Sequence, residues 1–211
     1  MLNYYLGKSI IPKFLDKAHS GGCASTLGFY AVKTGLVKGM VVSKPYLTFI
    51  AETETDFLSC SGSIYEQFKY VKLKRNFKYG QIGKPCNIDE KYKFKISIFC
   101  SHVTKKQKFR INMNNRNKQS FFDIPLKCLL CTDHLGLKSD VSVGDSQFNN
   151  KLNFIIVNSD LGQKILDEAV NHKYLKCIPS NYELLVKNQP YLYSNIKGKL
   201  KWSFTKIRKF L

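Results

Sequence analysis

Apolar runs of strand length alternate with stretches of helical period along this chain, and that alternation restricts it to an α/β architecture. Gly39-Met-Val-Val42 lies inside one such run, 36–43, and Tyr46-Leu-Thr-Phe-Ile-Ala51 forms the next. Both read as strands. Leu27, Tyr30 and Ala31 fall at helical spacing within Ser25–Thr34, and Gly35 supplies a stop. Phe94–Phe99 and Leu152–Val157 read as further buried strands. Ser159 or Asp160 can cap a helix that puts Leu161, Ile165, Leu166, Ala169 and Val170 on one face. Residues 1–19 have mixed propensity and read as a lead-in. Residues 53–66 are polar, with a turn or helix start at Cys60-Ser-Gly-Ser63, and the periodicity fades beyond Asn181. The expected fold is α/β, in the broad sense that includes α+β: a mixed sheet with flanking helices.

At 211 residues the chain can bury a full core, and a single domain spanning 1–211 is expected. A hydrophobic fraction of 44% argues for a folded globule. No apolar stretch approaches about 18 residues, so no membrane span is expected. The N-terminus does not resemble a signal peptide, and a cytoplasmic protein with reduced thiols follows as the expectation. The net charge of +19 favours anionic partners. No nucleic-acid recognition motif accompanies that charge, so nucleic acid is not an expected partner. Basic stretches at 67–78, 104–118 and 197–209 are candidate docking surfaces; the 104–118 stretch reads as an exposed loop or hairpin and the last as an amphipathic tail.

Seven cysteines are present. Cys128 and Cys131 form a C-x-x-C pair, a spacing that suits one metal, one cluster or one disulfide. Cys86 follows Gly83-Lys-Pro85, and Cys100 ends the run Ile96-Ser-Ile-Phe99. Four thiolates are the usual complement of a [4Fe-4S] cluster and also of a structural zinc. Spacing leaves both open, together with the plainer alternative of four buried apolar cysteines. Cys23, Cys60 and Cys177 lack comparable settings and read as structural. His19, His102, His134 and His172 are isolated.

Two further segments can meet a cofactor. Ser20-Gly21-Gly22 precedes a helix, where glycines let backbone amides approach a phosphate, and Ser20, Ser25 and Thr26 add hydroxyls. Asp140-Val-Ser-Val-Gly-Asp145 alternates like a strand and reads as ending in a tight turn at Gly144. No Ser/His/Asp order and no phosphate-binding Walker loop is present.

Taken in order, these segments resemble the coenzyme F420 hydrogenase/dehydrogenase beta subunit family, which includes F420-dependent formate dehydrogenase beta subunits. The resemblance rests on Ser20-Gly-Gly-Cys-Ala-Ser-Thr26, Gly62-Ser-Ile-Tyr65, Gly83-Lys-Pro-Cys-Asn87, Ile98-Phe-Cys100 and Cys128 through Asp145. It runs from about residue 5 to about residue 195. It implies an iron–sulfur flavoprotein, with a [4Fe-4S] cluster on Cys86, Cys100, Cys128 and Cys131. It further implies FAD near Ser20, Gly21, Gly22, Thr26, Ser63, Tyr65, Asp140, Ser142 and Gly144, between the helix start and the cysteine loops. Coenzyme F420 or an acidic ferredoxin would be the exchange partner, beside other redox subunits. The Cys86–Cys100 segment is shorter than in most members and lacks a helix, and no N-terminal ferredoxin-like module accompanies it. The alternative from another class is a diverged non-redox module with a four-cysteine zinc site and a basic partner-docking surface.

Overall fold

A computed structural model describes residues 2–44, 47–61, 71–99, 133, 135–146, 149 and 151–188. Its centre is an eight-stranded mixed sheet. The strands are β1 (Asn3–Ser9), β2 (Met40–Lys44), β3 (Leu47–Ala51), β4 (Gly80–Gly83), β5 (Phe94–Ile98), β6 (Val141–Asp145), β7 (Asn153–Val157) and β8 (Leu175–Ser180). They lie in the order β3-β2-β4-β5-β6-β7-β1-β8. β2, β4, β5 and β6 run parallel to their neighbours in that series. The β2–β3, β6–β7, β7–β1 and β1–β8 pairs are antiparallel.

The described helices are α1 (Pro12–Lys17), α2 (Cys23–Lys33), α3 (Glu54–Ser59), α4 (Asp160–Asn171) and α5 (Tyr182–Asn188). α2 starts two residues before the expected Ser25. Thr34 caps its end and Gly35 follows at φ 73°, a left-handed conformation that glycine adopts without steric cost. α4 starts at the expected cap, with the Ser159 hydroxyl accepting from the Gly162 N–H. The polar run after residue 53 holds a helix because Thr53 and Asp56 form a reciprocal capping box.

One face of the sheet carries the main core. Ile82, Phe94, Ile96, Val141, Val143, Ile155 and Val157 point toward Leu27, Tyr30 and Ala31 of α2 and Ile165, Leu166 and Ala169 of α4. Each such side chain contributes about 1.5–3 kcal/mol relative to an exposed one. The other face is thinner. Phe99, Phe154, Ile156 and Leu185 form a small cluster there, with Leu135 packed against it.

Two expectations change. Residues 3–9 are a central strand rather than a lead-in: β1 sits between β7 and β8, and its buried positions are Gly7 and Ser9, so no apolar period announces it. Gly144 is not a turn residue. It lies inside β6 opposite Phe154, and its missing side chain makes room for the Phe99 ring. Gly144→Ala should therefore destabilise the chain by roughly 1–3 kcal/mol through overpacking. Urea unfolding measures this, and a midpoint equal to wild type would contradict it.

Candidate functional site

Parallel strands all end at the same edge of a sheet, so the segments after β4, β5 and β6 leave from one side. Cys86 lies in a 3-10 turn, Pro85–Asn87, just past β4. Its side chain is exposed, with Sγ 3.7 Å from Asn87 Oδ1. Phe99, the residue before Cys100, comes directly after β5. Asp145 ends β6. β1 runs in the same sense as β6, and the Ser20-Gly21-Gly22 turn returns to that edge.

Asn153 fastens the turn to the sheet. Its Nδ2 donates to Ser20 Oγ at 2.6 Å and to the Gly144 carbonyl at 3.1 Å. Its Oδ1 accepts from the Cys23 N–H at 3.0 Å. Ser20 Oγ in turn donates to Asp145 Oδ1 at 2.6 Å. Gly21 is packed so tightly that a Cβ would stand 2.7 Å from the Asn153 nitrogen and from the Gly7 carbonyl. Gly22, at φ 72°, turns the chain into α2 without a side-chain cap. Thr26 Oγ1 lies 2.9 Å from both Ser9 Oγ and the Gly22 carbonyl. Ser20, Gly21, Gly22, Thr26 and Gly144 are thus brought together. Asn153 and Ser9 were not anticipated; the Asn before an apolar run was the available signal.

Asp140 and Ser142 belong to a second polar group, at the start of β6. Asp140 accepts from the Lys95 N–H at 2.8 Å and from the Ser159 hydroxyl at 2.7 Å. Ser142 Oγ donates to the Gly136 carbonyl at 2.9 Å and accepts from Asn158 Nδ2 at 2.8 Å. Gly136, at φ 73°, lies against Ser97 and Pro85. Ser97 Oγ is buried there without a hydrogen-bond partner among the described residues. Ser63, Tyr65, Cys100, Cys128, Cys131, His102 and His134 lie outside the described residues, as do the 104–118 and 197–209 stretches.

The other described cysteines are less exposed than Cys86. Burial pushes Cys60 and Cys177 up to about 12. Burial, and then the neighbouring Cys177, pushes Cys23 well above the ordinary thiol range. All three are buried or half-buried, so ionising them to bind a metal costs more than at an exposed thiol. His19 is exposed, and His172 pairs with the Tyr30 hydroxyl.

The architecture defines an open α/β protein whose Cys86 turn and Ser20–Gly22 turn lie outside the strand carboxyl ends, where such sheets bind ligands, while Asp140 lies at the opposite end of β6. Residues 65–182 match the C terminus of the coenzyme F420 hydrogenase/dehydrogenase beta subunit, and residues 4–74 match the N-terminal part of the same protein. The chain belongs to this family. An uncharacterized protein of Methanocaldococcus jannaschii is 26% identical over 204 residues, covering 72% of this chain and 78% of that protein. A chain of the F420-reducing [NiFe] hydrogenase complex from Methanosarcina barkeri shares the fold, with a TM-score of 0.69 at 19% identity, over 94% of this chain and 90% of that one. Among the described residues no helix is long and apolar enough to cross a membrane.

The raised thiols give a pH test with a definite sign. Cys177 would ionise near 9 when unfolded and near 12 when folded. Between those values the unfolded chain binds fewer protons, so stability falls as pH rises. Wild type should lose more stability than Cys177→Ser between about pH 9 and 11 in urea titrations. Parallel loss in both would contradict the assignment.

Proposed function

We propose that this chain is an iron–sulfur flavoprotein subunit, with a [4Fe-4S] cluster held by Cys86, Cys100, Cys128 and Cys131 and FAD at the Ser20–Gly22 edge. Its family is one of beta subunits of oxidoreductase complexes, which supports a redox role.

One observation carries the cysteine assignment. Described neighbours of three of the four cysteines meet on the thin face of the sheet. Gly136, five residues past Cys131, abuts Pro85, which precedes Cys86. Leu135 packs in the same cluster as Phe99, which precedes Cys100. The Ser97 hydroxyl, beside Gly136 and without a partner among the described residues, is a buried donor of the kind that suits a sulfur acceptor. Cys23, Cys60 and Cys177 are buried or half-buried and costlier to ionise for a metal.

The flavin assignment rests on backbone more than on side chains. Ser20, Thr26, Asp140 and Ser142 spend their polar atoms inside the protein. The first turn of α2, whose Cys23 N–H already goes to Asn153, offers its next amides to a phosphate. Ser146, next to Asp145, has a buried hydroxyl without a partner among the described residues. Ser63 and Tyr65 would complete this side.

When bound, the cluster passes single electrons and the flavin exchanges them for a hydride. The protein's share is to position both at one sheet edge and exclude water from them. Coenzyme F420 or an acidic ferredoxin is the exchange partner, and other redox subunits supply electrons. The charge of +19 suits such anionic partners. Lys72, Lys74, Arg75 and Lys78 form an exposed basic run just before β4. Attraction between exposed charges is screened over about 8 Å at physiological ionic strength, so this docking should be salt-sensitive.

Serine substitution tests the assignment. Cys86→Ser, Cys100→Ser, Cys128→Ser and Cys131→Ser should each lose most bound iron, because a site with three thiolates is incomplete. Cys60→Ser and Cys177→Ser should keep it. Dependence on Cys177 with indifference to Cys86 would overturn the ligand set.

A further inference from the structure

The connection between the parallel strands β4 and β5 spans residues 84–93 and contains one short 3-10 turn. Parallel neighbours normally need a crossover of a dozen or more residues, usually a helix. A helix satisfies its own backbone and fixes the direction of its first residues. This connection has no such support, yet it carries Cys86.

Gln81 supplies the support. It sits in β4, 2% exposed, among the largest fully buried side chains. A buried primary amide costs several kcal/mol unless its hydrogen bonds are made. Here both ends are used on the connection itself: Nε2 donates to the Asn87 carbonyl at 2.7 Å, and Oε1 accepts from the Asp89 N–H at 2.9 Å. The turn adds short-range bonds, from the Asn87 N–H to the Lys84 carbonyl at 2.9 Å and from the Ile88 N–H to the Pro85 carbonyl at 3.3 Å, and the far end of the connection is held by the Lys93 N–H donating to the Tyr79 carbonyl at 2.8 Å. The Cys86 side chain is exposed and has little packing to orient it. Its direction follows from the backbone of the turn, and that backbone is tied to the sheet through Gln81.

We infer that Gln81 is a positioning residue that stands in for the absent crossover helix and holds Cys86 ready to bind metal. The second half of this statement rests on Cys86 being a ligand; the first half does not. Gln81→Leu removes both bonds, and Gln81→Glu keeps the acceptor for Asp89 while losing the donor to Asn87.

The test combines amide hydrogen exchange on the metal-free full chain with anaerobic iron–sulfide reconstitution. In wild type the Asp89 amide should exchange at least about tenfold more slowly than the adjacent Glu90 amide, as a single well-made hydrogen bond of about 1.4 kcal/mol provides. Gln81→Leu should abolish that difference, leave α4 amides unchanged, and bind at least threefold less iron with flavin content retained. Gln81→Glu should restore part of both. Equal Asp89 and Glu90 rates in wild type would overturn the clamp, and this arm stands even if Gln81→Leu fails to fold. Full iron uptake by Gln81→Leu would overturn its link to Cys86. Failure of wild type to take up iron, with Asp89 protected, would count against the cluster and not the clamp.

Discussion

The parallel pairing of β4, β5 and β6 is the constraint on which the rest depends. Parallel strands deliver their outgoing connections to one edge, so segments distant in sequence leave the sheet side by side. The turn with Cys86, the residue before Cys100, and Asp145 are neighbours for that reason. Pairing of Gly80 with Phe94 and of Ile96 with Val141 sets the register that keeps them level. A slip by one residue would turn Ile82, Ile96 and Val141 away from the core, and burial of those side chains holds the register in place.

The antiparallel half of the sheet is joined to this edge by Asn153. Its amide binds Ser20, Gly144 and Cys23 at once, so the start of α2, the end of β6 and the start of β7 are fixed together. Two asparagine or glutamine amides thereby secure the two sides of the candidate site. Asn153 holds the glycine turn and Gln81 holds the cysteine turn. Both are buried, and both bind backbone, which makes position less dependent on flexible side chains.

Much of the fold was legible because it followed apolar period. α2, α4, β2, β5 and β7 all bury a stripe or run that is visible in the residues. β1 was hidden because a central strand here buries Gly7 and Ser9 while its tyrosines are only half-buried. β8 was hidden because it is an edge strand containing Pro179, with Ile178 exposed. Gly144 was misread because a glycine within an alternating run signals either a turn or a close approach, and only the Phe99 ring decides between them. At the candidate site, the Ser20–Gly22 turn and the Cys86 turn are marked by local motifs. Asn153 and Gln81 are not, since what marks them is the backbone they reach, which comes from distant or folded-back chain.

The central claim is that this sheet edge houses a cluster and a flavin. The most direct measurement is the iron, acid-labile sulfide, zinc and flavin content of the full chain purified without oxygen. The account predicts a brown protein with roughly four irons and four sulfides, the content of one [4Fe-4S] cluster, together with one FAD released on denaturation. A colourless protein with stoichiometric zinc and no flavin would contradict it.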